Sequence, residues 1–241
     1  MEQRLFIHDQ QVDLIRTGAH ARVDEIPLAG TWDLAGPLDP ESGTEMLRAA
    51  LKRAAALMDR RKPVEIVVPD ILFVCRVLTF DRVPVSLARR QELVNWKMQA
   101  FLPGLSDRYQ IRYDVRGTRV LVAAMPTPVW QLVCGMVEDS LDNPYRMVPE
   151  SVFLAERFLQ EYQEGLLIAV RQRYITAVGI QQGFPVLIRS RLKVAGLSVS
   201  EEVDLIRNLL SEQCDGFMPD PLLLGDAGDV QGLKLPEGWD Q

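Results

Sequence analysis

One succession of local patterns occurs twice in this chain, and that recurrence narrows the folds open to it more than any other feature. Near the N-terminus come three short strand-like runs, Leu5–Ile7, Val12–Ile15 and Val23–Pro27. A polar, Gly/Pro-rich connection follows. Ser42 and Glu45 then have the spacing of a capping box, in which hydroxyl and carboxylate each satisfy the other residue's backbone N–H. Leu47, Ala50, Leu51, Ala54, Leu57 and Met58 follow at helical spacing. Val64–Val68 reads as a buried strand, ended by Pro69-Asp70. The order begins again at Leu166. Leu166–Val170, Tyr174–Ile180 and Val186–Ser190 are strand-like, with Gln181-Gln182-Gly183 as a turn. A helix starts near Ser198 or Ser200 and carries Val203, Ile206, Leu209 and Leu210, and Leu222-Leu223-Leu224 forms a last short strand.

A three-strand meander followed by a helix and a fourth strand is the core of the ribonuclease-H-like fold. Two such units in one chain predict an α/β, actin-like architecture. Between them lies an α+β insert. Phe73–Phe80 reads as a strand. Ser86 is placed to cap a helix with Leu87, Val94, Met98 and Phe101 as apolar positions, ended by Pro103-Gly104. Tyr109, Ile111, Tyr113 and Val115 alternate with polar residues, as in a half-buried strand. Val120–Met125 is another strand, and Pro128–Leu141 a helix. Pro149 and Glu150 open a further helix bearing Phe153, Phe158 and Tyr162. The expected organisation is a first unit over 1–70 plus about 142–164, the insert over 71–141, and a reduced second unit over 165–241.

Composition removes several classes of function. The 241 residues carry a net charge of −6, which argues against a generally basic nucleic-acid binder. Cys75, Cys134 and Cys214 show no metal or redox spacing, and an odd, dispersed set fits a reducing compartment. MEQRLFIHDQ lacks the apolar core of a secretory signal. Val120–Val137 is an uncharged run of 18 residues, close to a membrane span. However, Pro126, Thr127, Pro128 and Gln131 interrupt it, so a strand running into a helix is the better reading. Thr127 would then be the N-cap and Pro128 the first helical residue.

Four stretches carry a resemblance to a known family. VNWKMQAFLPGLSDRYQIRYDV (Val94 to Val115) resembles a Trp-containing helix that ends in an aliphatic-Pro pair before a Tyr-bearing strand. RVLVAAMPTPVWQLVCGMVEDS, RMVPESVFLAERFL and GLLIAVRQRYITAVGIQQGFPVLIRS resemble the elements that follow. Together they look like PilM, the actin-like protein of type IV pilus assembly, and like the cytoplasmic part of GspL from type II secretion. The resemblance implies a non-catalytic scaffold, cytoplasmic and peripheral to the inner membrane, without a cofactor. Its implied partners are a bitopic inner-membrane platform protein, PilN-like or GspM-like, and the assembly or secretion ATPase. A homodimer is compatible with it, and membrane contact would be indirect. Departures bear on the nucleotide. Phosphate-cradling hairpins need glycine for close backbone approach. Here His8-Asp9-Gln10-Gln11-Val12 has none, and Ala169-Val170-Arg171-Gln172-Arg173-Tyr174 has neither glycine nor acid. Gly225-Asp226-Ala227-Gly228 weakly resembles the adenosine-side glycines. A short chain implies a trimmed second lobe. An ATP-binding actin-like protein with a non-standard loop is the first alternative.

A divalent-metal nuclease is the second alternative, and it is poorly supplied. Asp9 and Asp13 lie in the first hairpin, but the matching strand of the second unit has no acid to complete a two-metal site. His8 and His20 have no adjacent nucleophile, and no phosphate-binding fingerprint exists. The charge pattern says more. Gly165 to Ser200 holds Arg171, Arg173, Arg189, Arg191 and Lys193 and no acid. On a strand, Arg189, Arg191 and Lys193 share one face. They read either as a charged edge that blocks aggregation or as a docking surface for an acidic partner. Nucleic acid is disfavoured, since no aromatics are interleaved. Trp96, Phe101, Tyr109 and Trp130 are expected mostly in the core, with a peptide-binding groove as the sharper reading of Trp96, Phe101 and Tyr109. Asp215 to Gln241 holds six acids against Lys234 alone, so the net acidity belongs largely to this end. That segment and the basic strand are complementary in charge.

Overall fold

A computed structural model describes residues 3–8, 10–16, 22–29, 42–102, 108–141, 144–171, 173–194, 196–213, 217 and 219–225. Asp9, His20, Pro103-Gly104, Gln172, Cys214 and Asp226–Gly228 lie outside them, as does the Ser42 side chain needed for the first capping box. The chain divides into two compact units. One comprises Met1–Leu72 and Met125–Glu150, the other Phe73–Ala124 and Ser151–Asp240.

The first unit is built on the expected meander. β1 (Gln3–Ile7), β2 (Gln11–Arg16) and β3 (Arg22–Pro27) pair antiparallel in sequence order. α1 (Ser42–Leu57) returns the chain so that β4 (Val64–Val68) lies parallel to β1. All five residues of β4 are buried, which its uninterrupted Val/Ile pattern foretells. Leu47, Ala50, Leu51 and Ala54 of α1 are fully buried. Leu57, expected on the same stripe, is 45% exposed because the helix ends at that residue. A fifth strand, β8 (Pro144–Pro149), pairs parallel to β4 and gives the order β3-β2-β1-β4-β8. The sequence pattern did not mark it as a strand.

The second unit contains two sheets. β5 (Val74–Thr79), β7 (Arg119–Pro126) and β6 (Tyr109–Arg116) form one, in the order β5-β7-β6. Val94 and Met98 of α2 (Leu87–Met98) pack on it beside Ile111, Val120 and Val122. α2 starts with Ser86 at the N-cap, as expected, but its hydroxyl makes no cap bond. The helix stops at Met98, so Phe101 lies beyond it and not on its apolar stripe. β7 runs directly into α3 (Thr127–Ser140). Pro126, not Thr127, holds the N-cap position: its extended backbone (φ −53°, ψ 132°) turns the chain one residue early. The Thr127 hydroxyl is consequently buried without a partner among the described residues. α3 packs on α1 in the first unit, although the sequence pattern groups it with the insert. Among the described residues no helix is long and apolar enough to cross a membrane.

The other sheet of the second unit repeats the meander. β9 (Gly165–Val170), β10 (Tyr174–Gln181) and β11 (Phe184–Leu192) pair antiparallel, and β12 (Pro221–Gly225) lies parallel to β9. The order is β11-β10-β9-β12. α4 (Glu150–Glu161) precedes the meander, and α5 (Val199–Gln213) follows it. Gln182 and Gly183 both have positive φ, the backbone a tight hairpin turn requires. Ser198 caps α5 in a true capping box: its hydroxyl accepts from the Glu201 N–H, while the Glu201 carboxylate accepts from the Ser198 N–H at 2.8 Å. Val203, Ile206 and Leu210 then bury against Leu166, Ile168, Val170, Ile175 and Ala177. Gly179 permits this approach, since a Cβ there would stand 2.8 Å from Leu210 Cδ1 and 3.3 Å from Leu187 Cβ. Gly179→Ala is therefore expected to destabilise the protein by about 1–2 kcal/mol through overpacking. Urea denaturation followed by far-ultraviolet circular dichroism checks it.

Candidate functional site

The two hairpins that would face a phosphate are closed on themselves. In the first, the His8 N–H donates to the Gln11 carbonyl at 2.8 Å. His8 Nε2 lies 3.1 Å from Asp13 Oδ2, and Gln11 Nε2 donates to Asp13 Oδ1 at 2.8 Å. The Asp13 carboxylate is therefore held by its own hairpin. In the second, the Arg171 N–H donates to the Tyr174 carbonyl at 2.9 Å. Among the described residues no three His, Cys, Asp or Glu side chains converge as a metal site would require.

Most basic side chains outside the hairpins have internal roles. Glu65 on β4 is almost buried between Arg4 Nε on β1, at 3.1 Å, and Arg146 Nε on β8, at 2.8 Å. Those two arginines neutralise a carboxylate that burial would otherwise penalise. A cleft of about 420 Å³ in the first unit is flanked by Arg16, Arg22, Asp59 and Lys62. There Arg16 and Arg22 pair with Asp24, and Lys62 with Asp59. The Asp59 carboxyl is held below its usual pKa, first by the Arg61 N–H and also by Lys62, though burial opposes this.

The predicted basic strand is sorted by the fold. Arg189 and Arg191 lie on β11, an outer strand of its sheet, and Lys193 just follows it. Arg191 pairs with the Glu202 carboxylate at the start of α5, and Glu202 is only 1% exposed. The same carboxylate accepts the Val194 N–H at 3.1 Å. Arg191 therefore anchors the helix to the sheet. Arg171, Arg173 and Lys193 each have contacts of their own, and the Lys193 N–H donates to the Arg173 carbonyl at 2.8 Å. Arg189 is exposed.

The aromatic expectation needs correction. Trp96 is 64% exposed on the outer side of α2, and Phe101 is 40% exposed in the turn after it. Neither is core, because Val94 and Met98 alone turn α2's buried face inward, and the helix ends before Phe101. Tyr109 is half-buried against the three-stranded sheet's core. Trp130, half-buried, stands on α3 in the first unit.

Arg76 completes the picture and was not singled out in the sequence. It lies half-buried on β5, and β11 runs along β5. Its guanidinium donates to the Cys75 carbonyl at 2.6 Å and sits 5.2 Å from the Phe101 ring centroid. Burial, and secondarily the charge of Arg189, push its pKa below the usual arginine value. Among the described residues neither Arg76 nor Arg189 has a carboxylate partner. The detectable signal was an arginine inside an otherwise apolar strand, Phe73-Val74-Cys75-Arg76-Val77-Leu78. Arg76, Arg189 and Phe101 are thus one group within the second unit, with two cations and one exposed ring.

Two meander–helix–strand units with an α+β insert define an actin-like protein. The solved structures bear this out. The protein in a PilM–PilN type IV pilus biogenesis complex superposes with a TM-score of 0.67 at 16% identity, over 96% of this chain and 83% of that one. The cytoplasmic domain of EpsL, an inner-membrane component of the Vibrio cholerae type II secretion system, gives 0.63 at 9% identity, over 98% and 85%. A Bacteroides thetaiotaomicron protein of actin-like ATPase fold and unknown function gives 0.57 at 13% identity, over 95% and 83%. No protein-family model matches the sequence, and no curated protein is significantly similar to it. The fold is therefore actin-like, of the PilM and GspL kind.

The two strand arginines should separate in mutagenesis. Arg191→Ala leaves a buried carboxylate unpaired and should cost about 3 kcal/mol. Arg189→Ala should stay within about 0.5 kcal/mol of the parent. Equal losses in thermal melts of the two variants would contradict the division.

Proposed function

We propose that this protein is a non-catalytic cytoplasmic scaffold of a type IV pilus or type II secretion machine. In this reading it links the assembly ATPase to the inner-membrane platform, through a bitopic PilN-like or GspM-like protein. The observation that carries it is the likeness to PilM and to cytoplasmic EpsL over nearly the whole chain, insert included. Fold alone does not fix function. The second support is local chemistry. Both hairpins lack the glycines that bring backbone donors to a phosphate, and Asp13 is held by His8 and Gln11.

Isothermal titration with ATP and Mg²⁺ is expected to show no binding, and a micromolar dissociation constant would contradict the nucleotide-free reading. Co-purification from the native cell is expected to recover a PilN-like or GspM-like membrane protein and the assembly or secretion ATPase. Recovery of neither would sink the scaffold reading.

A further inference from the structure

We propose that Arg76, Arg189 and the exposed ring of Phe101 form a receptor for the carboxylate of an acidic–apolar peptide segment supplied by a protein partner. The inference goes beyond the scaffold reading and rests on it only in taking the ligand to be protein.

Several other cations already answer a carboxylate of the chain, while Arg53, Arg90, Arg116 and Arg119 donate to backbone carbonyls. Arg4 and Arg146 serve Glu65, Arg16 and Arg22 serve Asp24, Lys62 serves Asp59, and Arg191 serves Glu202. Among the described residues Arg76 and Arg189 have no carboxylate partner, and they stand together beside an exposed aromatic ring. Arg76 is half-buried, so its charge has lost part of its water, and its hydrogen bond within the described chain goes to one carbonyl, of Cys75. A second like charge stands close enough to act on it. Two neighbouring guanidinium groups repel each other in the absence of an anion, and a carboxylate relieves both the repulsion and the missing donor contacts. Guanidinium groups suit this because their planar forks accept a carboxylate in two parallel bonds.

Phe101 sets the rest of the ligand. Its ring already has Arg76 on one face, and it remains 40% exposed. An apolar side chain next to the ligand's acid would cover it, removing apolar surface from water. Nucleic acid fits less well. A phosphate backbone needs a track of cations, whereas the next arginine on β11, Arg191, is committed to Glu202. Charge and aromatic surface here form a single point of contact, which suits one acid with a neighbouring apolar residue.

The test is a phage-displayed library of random 12-residue peptides, selected on the purified full chain without any other component of the machine. Enriched peptides should carry Asp or Glu beside an apolar residue. The best of them, synthesised and fluorescently labelled, should bind at least about tenfold more weakly to Arg76→Gln and to Arg189→Gln. Arg112→Gln, an exposed position on β6, should bind it like the parent. Circular dichroism confirms that each variant is folded, and Arg189→Gln, being at an exposed site, keeps the test valid should Arg76→Gln fail to fold. No enrichment, a consensus without an acid, unchanged affinity in Arg189→Gln, or tighter binding of a single-stranded oligonucleotide than of any peptide would overturn the proposal. These outcomes are read without the ATPase or the membrane protein, so they stand apart from the co-purification that tests the scaffold.

Discussion

The pairing of buried carboxylates with arginines from neighbouring elements is the interaction on which the rest of this structure depends. Glu65 can occupy the middle of a fully buried strand only because β1 and β8 each supply an arginine beside it. Glu202 can sit at the start of α5, under its sheet, only because β11 supplies Arg191. Removing a partner from such a pair is costly, since the stranded charge has lost its water. The two sites therefore fix which strand lies next to which, and how α5 lies on β11. They also reduce the cations left for outside partners, and so make those that remain informative.

The same logic bears on the proposal that this actin-like chain binds protein. An actin-like site for nucleotide needs hairpins that keep backbone donors and acids available to phosphate and metal. Here Asp13, one of the first hairpin's two acids, is bound by His8 and Gln11 of the same hairpin. Among the described residues, Arg76 on β5 and Arg189 on β11 have no carboxylate partner, and an exposed aromatic ring lies beside them. Unpaired guanidinium groups next to apolar surface are the chemistry of recognition between proteins, where arginine and aromatic residues concentrate binding energy.

The fold was legible where local pattern and tertiary structure agree. Both meanders, α1, α5 and the parallel strands β4 and β12 follow from apolar periodicity and from turn residues such as Gln182-Gly183. β8 was not legible, because prolines bound it and Arg146 interrupts its apolar run; that arginine is there for Glu65, a partner far away in sequence. The caps at Ser86 and Thr127 show the converse. Residue type suited the position, but the backbone around Pro126 moved one cap, and the Ser86 hydroxyl stayed unbonded. Of the candidate site, Arg189 and Phe101 were visible as a basic strand and an aromatic after a helix. Arg191 was visible too, but its commitment to Glu202 depends on how helix and strand pack. Arg76 became apparent only once β5 and β11 were seen side by side.

Hydrogen exchange of the full chain, read by mass spectrometry in two separate additions, tests the central claim most directly: this actin-like fold binds protein and not nucleotide. One addition is ATP with Mg²⁺, and the other is the soluble cytoplasmic segment of the proposed PilN-like or GspM-like partner. The account predicts that the segment slows exchange in the second unit, at β5 and β11, while ATP leaves both hairpins unchanged. Slowed exchange around His8–Val12 and Arg171–Tyr174 with ATP, and none with the segment, would contradict it.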